Sequence, residues 1–314
     1  MISGNPDREA IMDFGIVVTN QQWVDDAALT AIEATRFTTL NVVDHPAFPI
    51  PDAWTWLAYA AARTKRIRLG THVTGAPFHH PQNLARQIAT VDVLSGGRTT
   101  VGIGTGYEHG DFHPYGYEML SFARRVELLE ETIAIMKSLW TNETTDYAGR
   151  YYHLAGGATF APKPAQQPGP PVLVGLNTAG LALKAAVRVA DGINSWQLGP
   201  SQLRELVPAV RAACEAAGRD PAAFKLTSDV LLARGADTAA AGALAGRIAG
   251  IARGWGRSEK VTQWDAGGVL HGDAAEMAAQ VSEFGSLGIS ELSVAVSSLE
   301  DIQWFSDQVI PRCT

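Results

Sequence analysis

RIRLGTHVTGAPFHHPQNLARQIATVDVLSGGRTTVGIGTGY, residues 66–107, sets the architecture. Ile67–Val73 (IRLGTHV) is rich in β-branched residues and reads as a strand. Gln82–Leu94 reads as a helix, which Gly96 and Gly97 stop, because glycine adopts the left-handed backbone that ends many helices. Thr99–Gly104 (TTVGIG) reads as the next strand. Strand, helix and strand in one continuous run predict a parallel pair joined by a right-handed crossover.

The same rhythm extends in both directions. Upstream, strands are predicted at Asp13–Val18 and Thr38–Val43, with helices at Trp23–Arg36 and Asp52–Thr64, where Asp52 is placed to cap its helix. Downstream, Phe122–Trp140 has apolar residues at three- and four-residue spacing and is the clearest helix in the chain. The alternation breaks at Thr144–Pro171, which reads as a small hairpin followed by an extended loop. It resumes with strands at Val172–Gly175, Gly192–Trp196, Phe224–Ala233 and Glu291–Val296. Helices are predicted at Leu181–Ala190, Gln202–Ala217, Thr238–Gly254, Ala274–Leu287 and Glu300–Ile310, and Arg253–Gly272 reads as a long loop able to fold back as a lid. Eight strands alternating with helices predict a single (β/α)8 TIM barrel over residues 1–314, with an insertion after the fourth helix. A doubly wound open sheet is the alternative. A dinucleotide-binding version of it would want a glycine-rich turn after the first strand, which Asp13–Asn20 lacks.

Composition narrows the class of function. The 314 residues carry a formal charge of −7 and no basic run, which argues against nucleic acid or an anionic membrane as partner. No long apolar stretch or leader-like N-terminus is present, so the chain is expected in the cytoplasm and not in a membrane. The two cysteines, Cys214 and Cys313, read as ordinary thiols of a reducing compartment.

Barrel chemistry sits on the loops after the strands, and that rule selects residues. Asp44 and His45 follow the second strand; a histidine there can move a proton, and a neighbouring carboxylate can bind a ligand or fix an imidazole. His72 lies at the mouth of the third strand, with His79 and His80 just beyond and His109 and His113 on the next loop. Their spacing matches no metal motif, adjacent histidines on extended backbone point apart, and no metal site is expected. Gly102, Gly104 and Gly106 either let backbone approach a flat ring or a phosphate, or simply allow tight strand packing. Gly175-Leu176-Asn177-Thr178-Ala179-Gly180 opens a helix and offers backbone N–H groups to a phosphate; the plainer reading is an N-cap by Asn177 or Thr178. Glu127, Glu130 and Glu131 lie at helical spacing from Arg124, Arg125 and Lys137 and read as a solvated or ion-paired helix face. Trp23, Trp54, Trp56 and Trp255 either line a pocket or pack the core, and core is the reading for the helical ones. No GxSxG elbow supports a serine hydrolase.

Four segments taken together, VVDHPAFPIPDAW (42–54), residues 66–107, RRVELLEETIAIMKSLW with YAGRYYHL after it (124–154), and PVLVGLNTAGLALKAAVRVADGIN (171–194), resemble the luciferase-like flavin and deazaflavin oxidoreductases. They cover most of residues 13–196. One branch of that family uses reduced FMN and oxygen in monooxygenation. The other uses coenzyme F420 and transfers hydride at the deazaflavin C5. The Asp44-His45 pair, Thr105 where flavin monooxygenases commonly place an arginine, and a GLNTAG turn without a serine-rich phosphate clasp are similar to the F420 branch. The resemblance implies coenzyme F420 as cofactor, with FMN as the alternative. It also implies a small-molecule substrate, a homodimer, and a separate flavin or F420 reductase if the cofactor arrives reduced. A non-enzymatic flavin-binding relative is a further alternative, against which the Asp44-His45 pair argues.

By position, His45 would be the catalytic proton acceptor or donor beside C5, and Asp44 would contact the ring or its hydroxyl. His72 and Val73 would be joined by a non-proline cis peptide forming a bulge behind the ring, with Thr74 next to it. Gly106 and Tyr107 would border the ring, and Gly175, Leu176, Asn177 and Thr178 would hold the side-chain phosphate. The family's sugar-phosphate dehydrogenases carry a glutamate where this chain has Tyr107, with Glu108 beside it, which argues against a sugar phosphate substrate.

Overall fold

The computed structural model describes residues 12–18, 25–107, 109–254, 266–296 and 298–313. The strands are β1 (Asp13–Val18), β2 (Thr39–Val42), β3 (Arg68–Gly75), β4 (Thr99–Gly104), β5 (Thr144–Ala148), β6 (His153–Thr159), β7 (Val172–Gly175), β8 (Gly192–Trp196), β9 (Lys225–Arg234), β10 (Val269–Gly272) and β11 (Glu291–Ala295). The helices are α1 (Asp26–Glu33), α2 (Ala53–Arg63), α3 (Pro81–Ser95), α4 (Phe122–Thr141), α5 (Leu181–Val189), α6 (Pro200–Ala216), α7 (Thr238–Gly254), α8 (Ala274–Ser286) and α9 (Leu299–Gln308).

Eight parallel strands run in the order β9-β11-β1-β2-β3-β4-β7-β8, and β8 pairs back onto β9, so the sheet closes into the expected (β/α)8 barrel. The strand pair β5–β6 forms its own antiparallel sheet after α4, at the expected insertion. Predicted punctuation recurs at the helix ends. Asp52 accepts a hydrogen bond from the Thr55 amide at 2.8 Å, and Gly96 ends α3 with φ +69°.

Three expectations need correction. First, Val269–Gly272, placed in a long loop from the sequence, is the strand β10, laid parallel on the C-terminal end of β9 outside the closed ring. Four residues between loops carry too little pattern to announce a strand. The rest of the expected lid falls largely on residues 255–265, outside the described residues, as does the predicted role of Trp255. Second, α1 stops at Glu33 instead of Arg36; Asp25 caps its start, and Trp23 lies outside the described residues. Third, the glutamates of α4 pair over long range. Glu127 binds Arg150, Glu130 binds Arg188, and Glu131 accepts from the backbone amides of Arg150, Tyr151 and Tyr152 in the hairpin turn. Lys137 instead pairs with Asp191.

Alternation along each strand sends one set of side chains to the helices and the other into the barrel. The outward set is apolar: Phe14 packs edge-on to Phe305 of α9 with centroids 6.2 Å apart, and Ile16, Leu40, Leu69, Val101 and Ile103 are fully buried. Trp54 and Trp56 of α2 are core residues, as expected. The inward set is polar, unlike the branched aliphatic filling of many such barrels. Thr39 donates to Glu291 at 3.1 Å, Ser293 to Glu291 at 3.2 Å, and Thr227 to the Asn194 side-chain oxygen at 2.7 Å. Burial raises Glu291 above the usual carboxylate range, against the pull of His72. Cys214 and Cys313 are free thiols. No helix among the described residues is long and apolar enough to cross a membrane.

Candidate active site at the barrel mouth

Just beyond β2, His45 is fixed from several directions. Its Nδ1 lies 2.6 Å from Oδ2 of Asp111, whose side chain is almost fully buried. The other Asp111 oxygen accepts the Ala47 amide at 2.8 Å, so the carboxylate is held before it holds the imidazole. The His45 ring stacks on Phe48 at 4.3 Å, and Tyr107 meets it edge-on at 5.5 Å. With Nδ1 engaged as donor to a carboxylate, Nε2 is the nitrogen left to meet a ligand, and a 13 % exposed side chain keeps it within reach of the mouth.

Asp44 is also paired: its Oδ2 lies 2.9 Å from Nε2 of His79. His80, the next residue, turns away and accepts the Gln82 amide at the start of α3, so the adjacent histidines do point apart. Among the described residues no group of three or more His, Cys, Asp or Glu is placed to hold a metal ion.

In β3 the peptide between His72 and Val73 is cis, as the resemblance implies. His72 turns to β9, where its Nδ1 lies 2.9 Å from Oδ1 of Asp229; both side chains are about 1 % exposed. The other Asp229 oxygen accepts from the Asn194 side chain at 2.8 Å. Val73 turns to the glycines of β4 and β7. A Cβ at Gly104 would stand 2.9 Å from Val73 Cγ2, and one at Gly175 would stand 3.0 Å from it. Gly102, Gly104 and Gly175 therefore make room for Val73, which supplies the tight-packing reading with a specific partner. Gly106 has φ +66° and lies against Phe112 and Phe78, lining the loop behind Tyr107.

The remaining predicted residues are placed less directly. Thr74 faces outward, accepting the Trp54 indole N–H at 3.1 Å, so only its backbone borders the mouth. Leu176 is buried, and its amide donates to the Asn194 carbonyl at 2.9 Å. Asn177 is not a helix cap: its side chain donates to the Trp196 carbonyl at 2.8 Å and accepts the Trp196 amide at 2.9 Å, clasping the ends of β7 and β8. The N-cap of α5 is Gly180, which has no side chain to offer, and no side-chain cap occupies that end. The amides after Thr178 are therefore not consumed by a capping side chain, as an anion site at a helix start requires.

Three residues of this site escaped the sequence reading. Asp111 and Asp229 lie 66 and 157 positions from the histidines they hold, with no local motif to mark them. Gln197, just past β8, is fully buried with φ +57°, and neither its side-chain oxygen nor its nitrogen has a hydrogen-bond partner among the described residues.

A parallel barrel with an oriented histidine, paired carboxylates and an uncapped helix start around its mouth is the framework of a ligand-binding α/β-barrel enzyme. The family model for luciferase-like monooxygenases matches residues 12–291, and the chain belongs to that family. An uncharacterised protein of Mycobacterium tuberculosis (strain ATCC 25618 / H37Rv) is 33% identical over 236 residues, 67% of this chain and 80% of that protein. An F420-dependent glucose-6-phosphate dehydrogenase of Kineococcus radiotolerans is 34% identical over 194 residues, 61% of this chain and 56% of that enzyme. Among solved structures, an F420-dependent secondary alcohol dehydrogenase in complex with an F420-acetone adduct superposes with a TM-score of 0.82 at 22% identity, covering 96% of this chain and 99% of that one. A monooxygenase from Streptomyces bottropensis gives 0.76 at 23% identity, over 96% and 100% of the two chains. These two likenesses are of fold.

Proposed function

We propose that the chain is an oxidoreductase that binds coenzyme F420 and serves hydride transfer between the deazaflavin C5 and a small organic substrate. The observation that carries this reading is His45, held at the mouth through Nδ1 by the buried Asp111, which leaves Nε2 without a partner among the described residues. The sequence relationship to F420-dependent dehydrogenases supports the choice of cofactor. F420, when bound, supplies or accepts the hydride at C5. The residues of the chain fit such a group. The uncapped start of α5 suits a phosphate, the Val73 bulge on its glycines gives an apolar seat for a ring, and a buried ring nitrogen of His72 has no partner among the described residues.

His45 takes the proton that a substrate hydroxyl releases as it becomes a carbonyl, or returns it in the opposite direction. Asp111 keeps Nδ1–H as the fixed end of the imidazole and steadies the charge that arrives on the ring. Phe48 and Tyr107 flank the ring and limit the water that can compete for Nε2. Asp44, steadied by His79, offers a carboxylate oxygen to the cofactor ring or its hydroxyl. Tyr107 in place of a glutamate points the substrate away from sugar phosphates and toward a less charged alcohol or carbonyl. A homodimer and a separate reductase belong to the same reading, and a monomer mass by light scattering at micromolar concentration would remove the first.

Titration of the purified protein with F420 and with FMN tests the reading. F420 should bind more tightly, and its reduction by candidate alcohols should not consume oxygen. Tight FMN binding without F420 binding, together with oxygen uptake, would replace it by a two-component FMN monooxygenase.

A further inference from the structure

Between Thr71 and Thr74, β3 carries one residue more than its neighbour. Thr71 pairs with Val101 and Thr74 with Ile103, so three steps on β3 match two on β4. Both threonines face outward. Thr71 donates to the Gly102 carbonyl at 2.7 Å, and Thr74 bonds Thr71 at 3.2 Å and Trp54 at 3.1 Å. The two residues between them are thus both delivered to the barrel interior, which regular alternation forbids to consecutive residues. They diverge there, Val73 toward β4 and β7 and His72 toward β9. One side of the floor is apolar and the other is polar.

The polar side is incomplete. His72 is buried and its Nε2 has no partner among the described residues, although nearly all buried polar atoms in folded proteins are paired. Burial alone would push the imidazole toward the neutral form, but the charge and hydrogen bond of Asp229 and the charge of Glu291 outweigh it and raise its pKa. In the imidazolium form that these two carboxylates favour, both nitrogens carry hydrogen and Nε2 is a donor. Gln197 is a second incomplete group. Its backbone amide donates to the Asp229 carbonyl at 2.8 Å, and its buried carboxamide is unpaired among the described residues.

We propose that the His72 side chain is a cofactor-binding group, its Nε2–H donating to a ring carbonyl of a planar cofactor seated on Val73. The proposal rests on the flavin-class reading above. It gives His72 a role beyond its share of the backbone bulge and makes Asp229 the residue that positions it. The pyrimidinedione carbonyls are common to F420 and FMN, so either can serve as the probe.

The test follows the imidazole nitrogens of protein labelled with 15N-histidine, with His72 assigned through bonds to its own backbone so that no variant is needed. Adding F420, and separately FMN, should shift the His72 Nε2 signal and protect its proton from exchange, while Nδ1 keeps its carboxylate-bonded shift. His72→Gln should weaken the binding constant of the same cofactor about tenfold or more, the range of a hydrogen bond to a charged donor. Binding of either cofactor with the His72 signals unmoved would overturn the proposal and leave the flavin-class reading standing. Binding of neither would remove both.

Discussion

Two of the barrel's histidine–aspartate pairs have nearly the same geometry in different surroundings. His45–Asp111 spans 2.6 Å with the histidine 13 % exposed, and His72–Asp229 spans 2.9 Å with both side chains about 1 % exposed. At the rim a proton on Nε2 can be handed to a substrate and recovered from solvent. In the interior neither partner meets solvent, so the pair is suited to a fixed hydrogen bond and a steady charge. In the mechanism proposed above, the same two residue types divide between moving a proton and holding one, and burial makes the division.

The largest stability effect expected from this contrast lies in the interior. Asp229→Ala should destabilise the protein by about 3–5 kcal/mol, the cost of leaving a buried partner uncompensated. Asp111→Ala, next to a histidine that solvent can reach, should cost about 1–3 kcal/mol. Urea unfolding of the two variants measures the difference, and equal losses would break the contrast. Next in size is Gly104→Ala. Its new methyl would stand 2.9 Å from Val73, and overpacking of that kind costs roughly 1–3 kcal/mol, readable in the same experiment. Substitution at Gly180, where a Cβ would meet no neighbour within 4 Å, serves as the control.

A smaller effect is expected in the pH dependence of stability. The pKa of His72 is raised in the folded state above the ordinary value of 6.5, so folding favours its protonated form. Its contribution is therefore fully present below about pH 6.5 and is lost as pH rises through the raised value. Thermal melts from pH 6 upward should show stability falling with pH, and His72→Gln should remove that part of the slope. A slope unchanged in the variant would show that the ion pair is not charged as described.

Much of this arrangement was legible in the sequence, for reasons that are local. The βα alternation, the stop at Gly96, the cap at Asp52 and the insertion after α4 each depend on residues within one element or its edge. The placement of Asp44 and His45 just past β2, and the cis His72–Val73 peptide, were legible because each sits in a short motif at a strand end. The partners were not. Asp111 and Asp229 arrive from other parts of the barrel, and closing the sheet is what brings them to the histidines. Glu127 and Glu130 illustrate the same limit in reverse: helical spacing offered nearby basic partners, but Arg150 and Arg188 come from outside α4 and take the carboxylates. Asn177 looked like a cap because it precedes a helix, yet the adjacent end of β8 offered it both a donor and an acceptor.

The central claim is that the rim pair moves the proton, and His45→Ala tests it most directly. With a substrate in hand, the variant's turnover and its cofactor dissociation constant are measured beside those of the unaltered protein. Turnover should fall by about 10²–10⁴, the usual contribution of general acid–base help, while cofactor affinity stays within a few-fold. Full turnover by the variant would contradict the account and remove His45 from the chemistry.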